Sequence, residues 1–182
     1  MKKLPVHCYF LMAGAFILVA LIAFWLFEKV SRNIQYVSTL MKTSEKGKKV
    51  IKEHEGLRLQ AYQCSAGVWT IGYGHTSPGV YAGMTITKAE AEFLLEQDTA
   101  KHEVPVQQMG IKLSQNQFDA LVSLVFNIGV GAFKRSTLYQ KVLANPNDPA
   151  IADEFRRWVF IGGVTSNGLI NRREKELQMY FA

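Results

Sequence analysis

Hydrophobic and polar residues follow successive patterns along this chain, and the first is a run from Val6 to Phe27 without a charged residue. Those 22 residues would form a helix about 33 Å long, and a bilayer core is about 30 Å thick. A buried core helix is usually shorter and amphipathic. A cleaved signal peptide has a shorter apolar stretch, with small residues before the cut. We therefore predict an uncleaved signal anchor, a transmembrane segment at residues 1–27.

The second pattern belongs to the start of a globular domain. Residues 28–42 are interpreted as a juxtamembrane linker, and the domain is expected at residues 43–182. Thr43 or Ser44 can cap its first helix, because both side chains accept hydrogen bonds from the first turn. This helix is expected to end at Glu55, since the next residue is a glycine.

The third pattern changes from alternation to a helical period. Residues 57–62 and 68–74 alternate and are expected to form a small hairpin sheet. A capping box at Thr87 predicts a helix to about Glu103, and Ser114 precedes a helix that is apolar on nearly every side. Further helices are expected at residues 137–144, 149–158 and 171–181. The predicted fold class is α+β, with a small sheet lobe followed by a helical lobe.

Charge and cysteine content exclude several classes of function. Residues 1–42 hold five Lys or Arg and one acidic residue, and residues 43–182 hold sixteen and fourteen. The net charge of +6 is therefore mostly a property of the membrane flank, and nothing indicates nucleic-acid binding. Cys8 and Cys64 do not form a disulfide framework, and no spacing of His and Cys is typical of zinc. We predict no metal and no cofactor.

Two segments carry the most specific pattern, HEGLRLQAYQC at residues 54–64 and VWTIGYGHT at residues 68–76. Together they resemble the phage lysozyme family, of the glycoside hydrolase family 24 type. Residues 118–131 and 156–174 resemble later parts of the family, so the resemblance covers about residues 44–182. It implies a lysozyme-like fold. The apolar N-terminus additionally resembles the signal-anchor endolysins of some lambdoid phages.

The resemblance places a catalytic triad at Glu55, Cys64 and Thr70. Glycoside cleavage needs an acid that protonates the leaving oxygen, and Glu55 is predicted at a helix C-terminus, where the helix dipole disfavours negative charge. Arg172, which the resemblance places nearby, would act in the opposite direction, and the sequence leaves open which effect is larger. Taken alone, Glu55 would be interpreted as an ordinary solvated residue at a helix end, and it is the matched hairpin that favours the acid.

Cys64 and Thr70 would hold the attacking water. Most thiols are protonated at pH 7, which weakens them as a base. The alternatives are a half-buried turn residue for Cys64 and an ordinary strand residue for Thr70. Thr70, Gly72 and Gly74 are expected to share a nearly bare strand face that a sugar can approach. Gly72, Gly74 and Arg172 are therefore the predicted substrate-binding residues.

The resulting hypothesis is a monomeric endolysin that hydrolyses the β-1,4 linkage between N-acetylmuramic acid and N-acetylglucosamine in peptidoglycan, for host lysis. It would be single-pass in the inner membrane, with its catalytic domain in the periplasm. Release of the anchor into the periplasm is left open. Two alternatives remain at this point: a lytic transglycosylase on the same bond, which needs only the glutamate, and an inactive membrane-anchored protein that binds peptidoglycan.

Overall fold

The computed structural model divides the chain into two compact units, Met1–Leu40 and Met41–Ala182. It describes residues 21–22, 24–29, 40–64 and 67–182. In the first unit the described residues 21–22 and 24–29 are helical, and their large apolar side chains are exposed. None of the helices formed by described residues is long and apolar enough to cross a membrane. Most of the predicted anchor, including Cys8, lies outside the described residues.

The second unit combines helices with two small sheets, which confirms the α+β class. The helices are α1 (Glu45–Glu55), α2 (Lys88–Gln107), α3 (Gln115–Ile128), α4 (Val130–Lys134), α5 (Thr137–Ala144), α6 (Ile151–Arg156) and α7 (Asn167–Tyr180). The strands are β1 (Arg58–Gln63), β2 (Trp69–Gly72), β3 (His75–Thr76), β4 (Phe160–Ile161) and β5 (Val164–Thr165). The order β1-β2-β3 forms one antiparallel sheet and β4-β5 the other.

The start of α1 is tied to the rest of the unit by polar side chains. Ser44 caps the helix as predicted, and its hydroxyl accepts from the backbone N–H of Gly47. Asp119 of α3 accepts hydrogen bonds from both the backbone N–H and the hydroxyl of Ser44. The backbone N–H of Thr43 donates to Glu103 of α2 over 2.7 Å. These bonds fix α1 against α2 and α3 at its first turn.

The two residues before Thr43 are also bonded into the unit. The Gln107 side chain donates to the carbonyl of Met41, and the Gln115 side chain donates to the carbonyl of Lys42, each over 2.8 Å. The unit thus begins two residues earlier than the sequence indicated.

The hydrophobic core surrounds α3, which packs against α1, α2 and α7. Every residue from Gln117 to Val125 is buried, which confirms the prediction of a central helix apolar on nearly every side. The largest cluster of buried side chains joins α3 to Phe133, Leu138, Phe155 and Tyr180. The helical lobe is therefore assembled around one helix, and the sheet lobe packs on α2.

Several boundaries differ from the sequence-based expectation. The second strand was predicted at residues 68–74 but ends at Gly72, whose φ of +68° breaks the extended backbone. Helix α2 continues beyond Glu103 because Pro105 and Val106 are buried in its last turn. Helix α6 is shorter than the predicted 149–158, and α7 begins earlier than 171 because Ser166 caps it. The short elements α4 and β3–β5 were missed, because so few residues carry no recognisable period.

Candidate active site

Glu55 is the last residue of α1, and its carboxylate contacts a side chain from the opposite end of the chain. Arg172 of α7 donates from Nη1 to Glu55 Oε1 over 2.7 Å. The arginine side chain is 4% exposed and the glutamate side chain 22%. The carboxylate is therefore held by a buried cation while one side remains open to solvent. This confirms the expectation that Arg172 lies beside Glu55.

Gly74 lies on the other side of the same carboxylate. A Cβ built on this exposed glycine would lie 3.5 Å from Glu55 Oε2. The φ of Gly74 is +87°, a conformation that favours glycine. The turn after β2 can therefore approach the carboxylate closely without covering it. The structure thus brings together three predicted site residues: Glu55, Gly74 and Arg172.

Gly72 lies elsewhere, which corrects part of the predicted open face. It is buried, and a Cβ built on it would lie 3.6 Å from the side chains of Ala91 and Ile86. The expectation assumed that strand alternation continues through residue 74. Because the strand ends at Gly72, this glycine packs against α2, and only Gly74 is exposed.

Cys64 and Thr70 lie at the end of the β1–β2 hairpin and share one carbonyl. The backbone N–H of Cys64 donates to the carbonyl of Val68 over 3.0 Å, and the Thr70 hydroxyl donates to the same oxygen over 3.1 Å. Tyr62 pairs with Thr70 in the sheet register, and Cys64 is the first residue after β1. The Cys64 side chain is half-buried and Thr70 is 4% exposed. With its proton engaged, the Thr70 oxygen can still accept a hydrogen bond from water.

Behind Arg172 lies a buried ionic cluster that the sequence analysis missed. Arg172 also donates from Nε to Glu176 Oε1 over 3.2 Å and from Nη2 to the carbonyl of Ser123 over 3.1 Å. Arg173 and the Ser123 hydroxyl contact the same Glu176 carboxylate. These bonds fix the guanidinium that holds Glu55. The sequence does contain a signal for this cluster. Glu176 follows Arg173 by three residues and Arg172 by four, so all three lie on one side of the helix.

His54 precedes Glu55 and is half-buried, with its Nε2 lacking a hydrogen-bond partner among the described residues. Burial lowers the pKa of His54 to about 4, and Arg172, Lys175 and Arg173 act in the same direction. The imidazole is therefore neutral at pH 7. It adds no charge of its own beside Glu55.

A cleft of about 480 Å³ opens on the helical lobe. Its lining includes Asn127, Trp158, Phe160 and Leu169. Asn127 follows Ser123 by one turn of α3, and Leu169 precedes Arg172 by one turn of α7, but Glu55 and Arg172 are not among the residues that line this cleft. Amide and aromatic side chains suit a polar ring compound. Among the described residues, no group of three His, Cys, Asp or Glu side chains is placed to hold a metal ion.

Comparison with known proteins adds the family. Residues 52–176 match the family described as Phage lysozyme. An endolysin of Acyrthosiphon pisum secondary endosymbiont phage 1 is 45% identical over 145 residues, which are 77% of this chain and 98% of the relative. A SAR-endolysin of Enterobacteria phage P21 is 36% identical over 127 residues, 69% of this chain and 76% of the relative.

A solved structure agrees with the sequence relatives. The muramidase domain of SpmX from Asticaccaulis excentricus superposes with a TM-score of 0.72 at 36% identity, covering 78% of this chain and 98% of that chain. The family match covers the last turn of the helix that ends at Glu55, the β1–β2 hairpin and Arg172. A lysozyme fold and a partly exposed carboxylate held by a buried arginine thus occur together with endolysin relatives, and the chain belongs to the phage lysozyme family.

Proposed function

We propose that this glycoside hydrolase is an endolysin that cuts the β-1,4 bond between N-acetylmuramic acid and N-acetylglucosamine, with Glu55 as the general acid. The observation that carries the proposal is the position of Glu55. Its carboxyl group is partly open to solvent, is held by Arg172 and is bordered by exposed Gly74. A sugar ring can approach it there without displacing a side chain.

In the proposed reaction the Glu55 proton moves to the glycosidic oxygen as the bond to the anomeric carbon breaks. Positive charge then develops on the sugar ring, as in other glycoside hydrolases. Glu55 is left as a carboxylate, and its 2.7 Å contact with Arg172 stabilises that charge. The arginine thus favours the state that follows proton transfer.

We assign the attacking water to Cys64 and Thr70. The Thr70 hydroxyl donates to the carbonyl of Val68, so its oxygen can accept a hydrogen bond from the water. The backbone N–H of Cys64 donates to the same carbonyl at this end of the hairpin. The water attacks the anomeric carbon and releases its proton to solvent, the product carries a new reducing end, and Glu55 takes up a proton from solvent before the next reaction. Of the two glycines predicted to bind substrate, we retain Gly74.

We further propose that the first 27 residues anchor the protein in the inner membrane, with the enzyme domain in the periplasm. Support comes from the uncharged run Val6–Phe27 and from the SAR-endolysin relative of phage P21. The exposure of Phe24 and Phe27 in the described part of this run suits contact with lipid. Release of the anchor would place the whole chain in the periplasm.

The test compares Glu55→Gln with Glu53→Gln in the purified full-length chain. Glu53 is an exposed residue of the same helix that pairs with Lys175, so its substitution controls for general effects on α1. The assay is turbidity loss of chloroform-treated Gram-negative cells, followed by mass spectrometry of the soluble products. Loss of a general acid lowers the rate about 10²- to 10⁴-fold, and the control should lyse as the parent does.

A Glu55→Gln protein that keeps a tenth of the parent rate would contradict the proposed role. The products test the bond chemistry separately. Reducing ends support hydrolysis, and 1,6-anhydro ends would identify a lytic transglycosylase instead. If neither appears in the parent, the binding-only alternative is favoured.

A further inference from the structure

The ionic cluster behind Arg172 contains one more cation than anion. Its members are buried: Arg172 is 3% exposed, and Arg173, Glu176 and Ser123 are 0% exposed. Two guanidinium groups share the single carboxylate of Glu176. Burying an unbalanced charge is costly, so the cluster needs a further negative group, and the carboxylate that contacts it is Glu55.

The contacts of Glu176 indicate that it is ionised. Oε1 accepts from the Ser123 hydroxyl over 2.7 Å, from Arg173 Nη2 over 3.0 Å and from Arg172 Nε over 3.2 Å. Oε2 lies 2.7 Å from Arg173 Nε. Guanidinium groups only donate, so a proton on Oε2 would have no acceptor there. Burial raises the pKa of Glu176, and the neighbouring Arg173, Arg172 and Ser123 offset that rise only in part.

This balance bears directly on a general acid. Glu55 must carry a proton before the reaction, and the surplus positive charge of the cluster lies directly beside it. Glu176 reduces the surplus because it neutralises one guanidinium. Arg173 restores it, because it uses part of the same Glu176 carboxylate. Removing either residue should therefore change the ease of protonating Glu55 in opposite directions.

The other groups on α1, α7 and α3 are neutral or paired at the surface, so they do not change the charge balance of the cluster. From α1, His54 is neutral at pH 7, and Glu53 forms an exposed pair with Lys175 of α7. Glu174 of α7 is paired with Arg156 at the surface. From α3, Ser123 contributes a hydroxyl and a carbonyl but no charge.

We propose that Glu176 and Arg173 are opposing positioning residues that set, through Arg172, the pH range in which Glu55 can donate its proton. The inference rests on the proposed role of Glu55. Glu176 holds the Arg172 guanidinium in place, and its negative charge neutralises part of the positive charge of Arg172. Arg173 binds the same carboxylate, so less of that negative charge acts on Arg172. Neither residue touches the substrate. Their effect is on the pH profile of the reaction rather than on its chemistry.

The experiment measures the initial lysis rate of the full-length chain from pH 4 to 9 at constant ionic strength and subsaturating cell density. In Glu176→Gln the alkaline limb of the profile should move to lower pH by about one unit, and in Arg173→Met it should move to higher pH by a similar amount. Ser123→Ala is the matched control: it removes one hydrogen bond to Glu176 and no charge, so the limb should stay in place.

The double variant Glu176→Gln with Arg173→Met removes one charge of each sign and should return the limb to the parent position. It also keeps the test decisive if Glu176→Gln does not fold, because Arg173→Met and the double variant must then differ by about one unit. A purely structural role would lower activity in all variants without moving the limb. Shifts in the same direction, or no shift in folded variants, would overturn the proposal.

Glu55→Gln in the same assay separates this inference from the proposed function. If Glu55→Gln remains active, the general-acid assignment fails, and the inference with it. If Glu55→Gln is inactive and the limb does not respond to Glu176→Gln and Arg173→Met, the proposed function stands and only the inference fails.

Discussion

The substitution Gly47→Ala should destabilise the protein, although alanine normally favours a helix. Gly47 is buried in the first turn of α1, where the helix passes α3. A Cβ at this position would lie 2.7 Å from Asp119 Cγ and 2.7 Å from Thr43 Cγ2. Neither neighbour can withdraw easily, because Asp119 is 0% exposed and accepts hydrogen bonds from Ser44.

The magnitude follows from three effects. Replacing glycine by alanine in a helix gains about 1 kcal/mol, and overpacking a buried contact costs about 1–3 kcal/mol. Moving Asp119 away from the Ser44 N–H at 2.9 Å and the Gln115 amide at 2.8 Å weakens two buried hydrogen bonds, at about 1–3 kcal/mol. The net loss is about 1–5 kcal/mol, with a central value of about 3 kcal/mol. For a domain of this size that lowers Tm by roughly 6–12 °C.

The assay is thermal unfolding of the purified full-length chain in detergent, followed by far-ultraviolet circular dichroism. Gly168→Ala is the matched control, because Gly168 is an exposed glycine of α7 whose nearest contact to an added Cβ is Ser166 Oγ at 3.7 Å. It should keep or raise Tm by the ordinary helix preference. A Gly47→Ala protein that melts at or above the parent temperature would refute the steric argument.

Two further predictions concern titration and the thiol. The pKa of His54 is about 4 in the folded chain, and its ordinary value is 6.5. As the pH falls, the unfolded chain therefore binds a proton at His54 before the folded chain does. The free energy of unfolding decreases between pH 6.5 and 4 for that reason. In urea titrations His54→Gln should lose less stability than the parent over that range; equal losses would contradict the argument. Cys64→Asp should keep lytic activity and resist thiol alkylation, whereas the parent is inhibited and Cys64→Ser is slower; equal inhibition of the parent and the Asp variant would exclude Cys64 as the sensitive group.

The sequence predicted the elements whose signals are local. Ser44 and the glycine after Glu55 mark the two ends of α1, so the position of the candidate acid could be read from capping alone. The sequence also predicted the central helix, because it has more apolar residues than one buried face of a helix would need. Arg172 came from the resemblance, since 117 positions separate it from Glu55 and no local pattern links them.

The remaining features depend on contacts that no period encodes. A helix bearing Arg172, Arg173 and Glu176 reads as a solvated charged surface, and only packing against α3 shows that all three are buried. The sequence also does not show why Asp119 lies in an apolar helix. Its hydrogen-bond partner, Ser44, is 75 positions earlier in the chain. Gly72 was misplaced because strand alternation fails at a positive φ.

The hydrogen bonds to the first residues of the second unit bear on protein engineering. Gln107 and Gln115 donate to the carbonyls of Met41 and Lys42. A truncated protein that begins at Thr43 would lose both acceptors. Its new amino terminus would also turn the backbone N–H that donates to Glu103 into an ammonium group. Starting at or before Met41 keeps all three bonds as they are and leaves α1 with its native attachment to α2 and α3.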